Sequence, residues 1–246
     1  MKPSTLLALL AFLTVSARPV GAGTIAAWGN DNQGQVSGAP SGADFIAIAG
    51  GANSGFALRA DGSIAAWGTD FDGEISGAPS GAGFTAIAAG TYDGYALRED
   101  GTIAAWGRDG FGEVSGAPSG AGFTAIAGRF LGGYALSADG SIAAWGRDGS
   151  GAVSGAPSGT GFTAIAGGTY GGWALSADGS IAAWGNDSLG QVSGAPSGTG
   201  FTAIAGGSFT GFAIHSPEPA PLSFLAMGMV SMAALWRRKS RLSGRS

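Results

Sequence analysis

The stretch Ile103-Ala-Ala-Trp-Gly-Arg-Asp-Gly-Phe-Gly-Glu-Val-Ser-Gly-Ala-Pro118 decides the fold, because both of its ends recur along the chain at a constant spacing. The motif Ile-Ala-Ala-Trp-Gly begins every 39 residues, at Ile25, Ile64, Ile103, Ile142 and Ile181. The motif Val-Ser-Gly-Ala-Pro, with Ile75 as its first residue in the second copy, begins at positions 36, 75, 114, 153 and 192. A fixed period of this length is typical of solenoids, propellers and repeat arrays.

Each repeat contains four short apolar segments separated by turn residues. In the second repeat these are Ser63–Trp67, Glu74–Ala78, Phe84–Ala88 and Gly94–Arg98. Asp100-Gly101 is a strong hairpin signal, and Phe84–Ala88 lacks the i, i+3, i+4 spacing of a helix. Four strands in a period of about 40 residues describe one propeller blade. We therefore predict an all-β protein over residues 23–215, a β-propeller of five blades with four antiparallel strands each.

The two ends of the repeat region complement each other. The first repeat begins at Ile25–Trp28 without its hairpin partner, and the last ends at Phe212–Ile214 without the strand that should follow. We expect these two segments to pair, because the pairing would complete the fifth blade and remove two open sheet edges. The alternative is an open array with both edges exposed.

The repeat resembles a known family. The pattern Trp-Gly-x-Asp-x-x-Gly, then Ala-x-Gly, then Ala-Leu-x-x-Asp-Gly-x-Ile-x-x-Trp-Gly runs through residues 24–214. It is similar to the regulator of chromosome condensation repeat, which also occurs in bacterial β-lactamase-inhibitory protein II. The resemblance implies a β-propeller, although those relatives close with seven blades and this chain has five repeats. The nucleotide-exchange residues of the family have no identifiable match, so that activity is not implied.

The composition excludes several classes of protein. Of the 246 residues, 45% are hydrophobic and 11% charged, whereas disordered chains have the opposite bias. The sequence has no cysteine, which excludes disulfides and thiolate chemistry. Residues 23–216 carry five arginines, no lysine and fifteen acidic groups, a net charge of −10. Such a body repels phosphate backbones, so we expect no nucleic-acid partner.

Both termini carry export signals. Lys2, an apolar run and the small residues before Gly23 are typical of a signal peptide over residues 1–22. Near the other end, an apolar segment at 220–236 is just long enough for a transmembrane helix. It is preceded by Pro217, Glu218 and Pro219 and followed by Arg237, Arg238 and Lys239. The basic cluster favours a cytoplasmic end for the helix, which places the repeat region outside.

These three parts, over residues 216–241, resemble the PEP-CTERM sorting signal of Gram-negative bacteria; a basic tail at 242–246 follows. The resemblance implies transient membrane insertion and then cleavage near the triplet by an exosortase-type enzyme. The protein would then reach the cell surface or extracellular matrix. The simpler alternative is an ordinary single-span anchor.

The acidic residues offer little catalytic chemistry. An aspartate follows each Trp-Gly, and we expect it to bond its own backbone two residues on rather than form a cation site; these residues are Asp31, Asp70, Asp109, Asp148 and Asp187. The carboxylates outside the repeat consensus are Asp72, Glu74, Asp93 and Glu113, which a glycan-active hydrolase would need in pairs. Glu74 and Glu113 align with Gln35, Ala152 and Gln191, which indicates surface variants.

His215, the only histidine, is predicted to be a linker residue. We predict no catalytic residue, no cofactor and no metal site.

Two loops vary between repeats while the others stay constant. One follows the Trp-Gly strand, as at residues 108–111, and the other precedes the fourth strand, as at residues 91–93. In an up-and-down blade these connections share one rim. Their aromatic residues are the predicted ligand-binding set: Phe71, Tyr92, Phe111, Phe130, Tyr170 and Phe209. Aromatic residues on loops of a rigid scaffold favour recognition of a protein or glycan. The alternatives are neutral drift, rings packed back on the blades, and a purely structural matrix role.

The sorting signal makes a testable prediction about processing. In a host with the sorting enzyme, the mature protein should lack the residues after about Pro219. Intact-mass spectrometry of the surface-held protein checks this. A mass that still includes residues such as Trp236 and Arg237 would instead indicate a permanent anchor.

Overall fold

The computed structural model describes residues 23–216, which form β-strands and turns without an α-helix; one 3₁₀ turn covers Gly149–Gly151. None of these residues lies in a helix of the length and apolarity that a membrane span requires. The strands are β1 Phe45–Gly50, β2 Ser54–Arg59, β3 Ile64–Gly68, β4 Phe84–Ala89, β5 Asp93–Arg98, β6 Ile103–Gly107, β7 Phe123–Arg129, β8 Gly132–Ser137, β9 Ile142–Gly146, β10 Phe162–Gly167, β11 Gly171–Ser176, β12 Ile181–Gly185, β13 Phe201–Gly206 and β14 Gly211–His215.

The strands form five antiparallel sheets, one for each repeat. Sheets 1 to 4 have three strands each, in the orders β1-β2-β3, β4-β5-β6, β7-β8-β9 and β10-β11-β12, and sheet 5 contains β13 and β14. The predicted Asp-Gly hairpins join the second and third strands. In sheet 2, Asp100 accepts a hydrogen bond of 2.9 Å from the Thr102 amide, and Gly101 supplies the left-handed φ of +79°. These sheets are the predicted propeller blades.

The prediction of a fourth strand per repeat is wrong. In the second repeat, Glu74–Ala78 forms turns, because its backbone donors are used locally. The amides of Gly77 and Ala78 bond to carbonyls three or four residues back, and those of Ile75 and Ser76 donate to Asp70. The following Pro79 has no amide hydrogen. The segment therefore crosses from one end of the sheet to the other without joining a ladder.

The first strands of successive sheets lie side by side around a common axis. Glycines allow this close approach: a Cβ at Gly128 would overlap the carbonyl of Ala89, and one at Gly167 would overlap the carbonyl of Gly128. The C-terminal ends of the five first strands, with the loops after them, surround a shared depression of about 370 Å³. The sheets are thus arranged as blades around a centre.

A repeated contact, here called the Trp lock, joins each of sheets 1 to 3 to the sheet that follows it. Trp145 of sheet 3 lies edge-to-face against Tyr95 of sheet 2, with ring centroids 5.1 Å apart. The indole Nε1 and the tyrosine hydroxyl both donate to the Glu113 carbonyl, at 2.9 and 3.0 Å. Phe56 with Trp106, and Tyr134 with Trp184, repeat the ring contact. Each lock buries an aromatic pair and satisfies its polar atoms.

The variable loops share one end of the sheets, as predicted. The reason is antiparallel pairing, since the second strand begins where the third ends; Asp93 lies opposite Gly107. In sheet 2 the Arg108 amide donates to the Tyr92 carbonyl at 2.9 Å. The constant Asp-Gly turns lie at the other end, where the Phe84 amide donates to Gly62. We call the first end the variable face.

The predicted pairing of Ile25–Trp28 with Phe212–Ile214 is not formed. Among residues 23–216, β14 pairs with β13 alone, and residues 24–29 belong to no strand. Instead Gly23 forms an isolated bridge with Phe45, and Ile25 packs against the Phe45–Trp67 cluster of sheet 1. The segment therefore lies on the flank of sheet 1, at the opposite end of the array from sheet 5.

The Trp lock predicts a strict requirement for glycine in the second strand. A Cβ at Gly133 would overlap the indole of Trp145 in the paired strand, so Gly133→Ala should destabilise the protein by about 1–3 kcal/mol. Gly159→Ala is the matched control, because a Cβ there meets nothing within 4 Å and it should change stability by less than about 1 kcal/mol. Urea denaturation measures both. Equal stabilities would contradict the lock.

Candidate functional site

The loops of the variable face are held by aspartates, which we call the Asp clamps. Asp109 accepts hydrogen bonds from the amides of Val114 at 3.0 Å and Ser115 at 2.9 Å. The same bonds recur at Asp31, Asp70, Asp148 and Asp187. The predicted turn role is confirmed, but the partners lie five and six residues on rather than two. These bonds lower the pKa of the Asp109 carboxyl below its usual value.

Aromatic and arginine side chains alternate along one part of this face. The guanidinium of Arg108 lies 5.5 Å from the ring centroid of Tyr92 and 5.9 Å from that of Phe111. The guanidinium of Arg147 also lies over Phe111, 5.2 Å from its ring centroid. Phe111 and Arg147 are exposed, whereas Tyr92 and Arg108 are half-buried. Cation–π contacts of this kind hold the long arginine side chains across the surface.

Three further rings continue the surface across sheets 3 to 5. Phe130 and Tyr170 lie edge-to-face with centroids 5.6 Å apart, and Tyr170 and Phe209 are 5.9 Å apart at a tilt of 46°. A small cleft of about 70 Å³ between Arg147, Phe130 and Tyr170 connects them with the preceding group. We call the whole surface the aromatic belt: Tyr92, Arg108, Phe111, Arg147, Phe130, Tyr170 and Phe209. It borders the central depression, which Phe130 also lines.

The structure thus brings five of the six predicted ligand-binding residues into one surface. Phe71 is on the same face and is 80% exposed, but within residues 23–216 it makes no ring or cation–π contact with the belt. The predicted set missed Arg108 and Arg147. Their signal was present in the sequence, because three of the five arginines of residues 23–216 fall in or beside the variable loops of the middle repeats.

A buried polar cluster lies beneath the belt. The expectation that Glu74 and Glu113 are surface variants is wrong: they are 3% and 0% exposed, and Asp93 is fully buried. Each glutamate directly precedes the two amides that donate to the clamp aspartate. Its side chain points inward and accepts a hydrogen bond from an amide of its own loop. Glu74 accepts from Asp72 at 2.7 Å and Glu113 from Phe111 at 2.6 Å.

Asp93 is in a different situation. Neither of its carboxyl oxygens has a hydrogen-bond partner among the described residues. Burial raises the pKa of Asp93 to about 7, and the neighbouring Glu113 adds to the shift while Arg129 opposes it. Arg129 itself is 5% exposed and donates from Nη2 to the carbonyls of Trp145 and Arg147, at 2.8 and 2.7 Å. The buried polar side chains therefore pack beneath the belt, with Arg129 bonded to the backbone of Arg147, and the carboxyl groups are not exposed to solvent.

Other chemistry is sparse in this region. Within residues 23–216, no three acidic or histidine side chains converge as metal ligands would. His215 ends β14, packs edge-to-face on Phe201 and contacts the Thr199 carbonyl, so it is part of sheet 5 rather than a linker. The predicted signal peptide at 1–22 and the sorting signal with its helix at 220–236 lie outside the described residues.

The fold places this protein among the β-propellers. No protein-family model and no curated protein matches the chain. Among solved structures, the ectodomain of the receptor kinase CR4 from Physcomitrella patens is 23% identical, with a TM-score of 0.64, over 81% of this chain and 55% of that one.

The regulator of chromosome condensation type of propeller is also represented. Prp20p from Saccharomyces cerevisiae, described with its binding to Gsp1p and histones, is 16% identical at a TM-score of 0.58, over 76% of this chain and 59% of that one. Yeast RCC1 (Prp20) bound to Kap60 is 17% identical at 0.58, over 73% and 56%. This chain thus spans 55–59% of these proteins, and the likeness concerns the fold. RCC1-like propeller repeats, expected from the sequence, are supported by it.

The cluster beneath the belt predicts a pH dependence of stability. A carboxyl whose pKa is raised by folding favours the folded state less as pH rises from its unfolded value near 3.8 to about 7. The melting temperature should therefore fall between pH 5 and pH 8, and Asp93→Asn should remove much of this fall. Asp72→Asn, which deletes an exposed carboxylate of the variable face, is the control and should keep the fall. An unchanged slope in Asp93→Asn would contradict the raised pKa.

Proposed function

We propose that the protein is an exported, non-catalytic propeller that binds a protein or glycan through the aromatic belt of its variable face. The observation that carries this proposal is the continuity of the belt. Rings from sheets 2 to 5 and two arginines form one surface, although they come from loops that differ between repeats. Contact across blades between aromatic residues of variable loops on a rigid scaffold is the arrangement that a shared binding surface requires.

The chemistry of the belt favours a ligand with flat apolar faces and negative charge. Aromatic rings stack on sugar rings or on planar side chains, and each stacked ring contributes on the order of 1 kcal/mol beyond its buried area. Arg108 and Arg147 add donors that match carboxylates in a planar fork. An acidic glycan or an acidic protein loop satisfies both features.

The hydrolase alternative lacks an accessible acid pair. Asp93 and Glu113 are the adjacent carboxylates, and both are fully buried. Neither side chain lines the central depression, the small cleft at Arg147 or the cleft beside β14. A glycosidase needs two carboxyl groups that reach the scissile bond, so this pair does not support hydrolysis.

Export and surface display complete the proposal, and they rest on the sequence alone. The signal peptide would direct the chain across the membrane, and an exosortase-type enzyme would release it near Pro217–Pro219. The propeller would then act at the cell surface or in the extracellular matrix. The fold neighbours include a receptor ectodomain and a protein described with binding partners, which is consistent with a binding role for this chain.

The test combines a ligand screen with a substitution at the centre of the belt. A glycan and surface-protein array, probed with the mature protein, supplies the ligand. Tyr170 contacts both Phe130 and Phe209, so Tyr170→Ala should weaken binding about 10-fold, with the melting temperature within a few degrees of wild type. Adding Tyr92→Ala should increase the loss.

Ile46→Ala is the matched control. Ile46 is also an exposed apolar residue, but it lies at the constant end of β1, away from the belt. Binding of the control should equal that of wild type. If the tyrosine variants bind normally and melt markedly lower, the rings are packing residues and the proposal fails.

A further inference from the structure

Sheet 5 carries an empty version of the Trp lock. A cleft of about 200 Å³ opens beside β14, and it is lined among others by Trp173, Ile181, Ala195, Ile204 and Ala213. Each of these lies 78 residues, or two repeats, beyond a residue packed with Trp145 in sheet 3: Tyr95, Ile103, Ala117, Ile126 and Ala135. The cleft is therefore a socket for an indole ring, and we call it the Trp socket.

The hydrogen-bond acceptor of the lock is also in place. In sheet 3, the carbonyl of Glu113 accepts from Tyr95 and from the Trp145 indole. At the socket, the equivalent carbonyl of Gln191 accepts from Trp173 at 3.3 Å. In sheet 3 the second donor is the Trp145 indole. At the socket, a tryptophan on a third strand beside β14 would supply this donor.

Among residues 23–216, one tryptophan of this motif is left exposed. Trp28 belongs to Ile25-Ala-Ala-Trp-Gly29 and is 85% exposed, whereas its equivalents Trp67, Trp106, Trp145 and Trp184 are 7% exposed or less. Its segment is anchored on the flank of sheet 1, where Ile25 packs as the third strand of a preceding sheet would. Strands one and two of that sheet are missing there.

Sheet 5 has the strands that this segment lacks. The unpaired edge of β14 exposes Phe212 and Ile214, each at 64%, although the equivalent Phe56 and Leu58 of sheet 1 are fully buried. On the other flank of the array, Ile48 of β1 is 61% exposed, whereas the equivalent Ile87 packs in a cluster with Phe56 and Leu58. Each end of the array thus presents the apolar residues that the internal sheet contacts bury.

We propose that the Trp socket of one molecule receives Trp28 of a second copy of this chain, so that copies associate head to tail. Residues 25–28 of the partner add to β14 as a third strand, in the register seen for β12 on β11, where Gly172 lies opposite Trp184 and Leu175 opposite Ile181. In that register Gly211 faces the incoming Trp28 and Ile214 faces the incoming Ile25. The partner's Ile48 then covers Phe212 and Ile214.

A second copy is favoured over the chain's own N-terminal segment by what is exposed in the monomer. Trp28 and the edge of β14 are exposed at the same time, and residues 24–29 are held on sheet 1 by the Ile25 contact and the Gly23–Phe45 bridge. A second copy buries all of Trp28, Ile48, Phe212 and Ile214 through a contact already used three times within the array. A head-to-tail contact of this type yields closed rings or filaments.

The experiment measures the mass of the full chain in a mild non-ionic detergent by analytical ultracentrifugation over a range of concentrations. Wild type should form concentration-dependent oligomers. Trp28→Ala, which removes a side chain exposed in the monomer, should weaken association about 30-fold or more, as expected for a tryptophan at the centre of an interface. Phe71→Ala removes an equally exposed ring from a different surface and should associate as wild type does.

A mixing experiment separates association between copies from closure within one chain. Phe212→Arg places a charge at the socket but leaves Trp28 intact, and Trp28→Ala leaves the socket intact. Each variant alone should be monomeric, and an equimolar mixture should form a heterodimer through its one complete interface. A monomeric wild type at all concentrations, a mixture without heterodimer, or association that survives both substitutions would overturn the proposal. The last result would assign association to another segment, such as residues 220–236.

Discussion

The arrangement of sheets 1 to 4 depends on one indole ring at each boundary between them. The ring of Trp145 has three simultaneous requirements: an aromatic edge from the preceding sheet, a carbonyl acceptor from the crossing segment, and a glycine beneath it in its own sheet. These come from residues 50, 32 and 12 positions away in the chain, so a change in the length of a repeat would disconnect them. Burial raises the pKa of the Tyr134 hydroxyl to about 12, which keeps the second donor of its lock protonated. The constant period of 39 residues is the sequence signature of this geometry.

Three strands of each repeat could be located from the sequence, because their hydrophobic segments are bounded by Asp-Gly and Gly-x-x-Phe turns. The Val-Ser-Gly-Ala-Pro segment was misassigned for a specific reason. Its alternation is that of a strand, but the Asp clamp takes two of its amides through bonds that span five and six residues, and the alternation of residue types does not report those bonds. The expected closure failed for a similar reason. The sequence shows that the ends are complementary, whereas the angle between blades depends on how closely backbones approach at positions such as Gly128 and Ala89.

The candidate site, too, could be predicted from the sequence only in part. Aromatic residues in variable loops could be identified from the sequence, since the antiparallel order of the strands places those loops together. The arginines that join them were missed because a cation–π contact depends on side-chain reach and not on repeat position. Glu113 was misjudged because it aligns with polar Gln35 and Gln191. Its equivalent Ala152 is 1% exposed, which identifies the position as inward-facing in the folded protein. Arg129 stands where other repeats have glycine, and it has room because its own second strand begins with Gly132.

The Asp clamps have a consequence for how this surface changes over time. Each clamp fixes the shape of its loop through the aspartate and the amides five and six residues later, so the exposed residues just after the aspartate, such as Gly110 and Phe111, contribute little to that shape. Arg108, Gly110 and Phe111 in one repeat correspond to Thr69, Phe71 and Asp72 in the preceding one, and the clamp bonds are the same in both. Loop shape and loop content are therefore inherited separately. Exchange of these loop residues between repeats would move an exposed aromatic patch from one blade to another while leaving the scaffold intact.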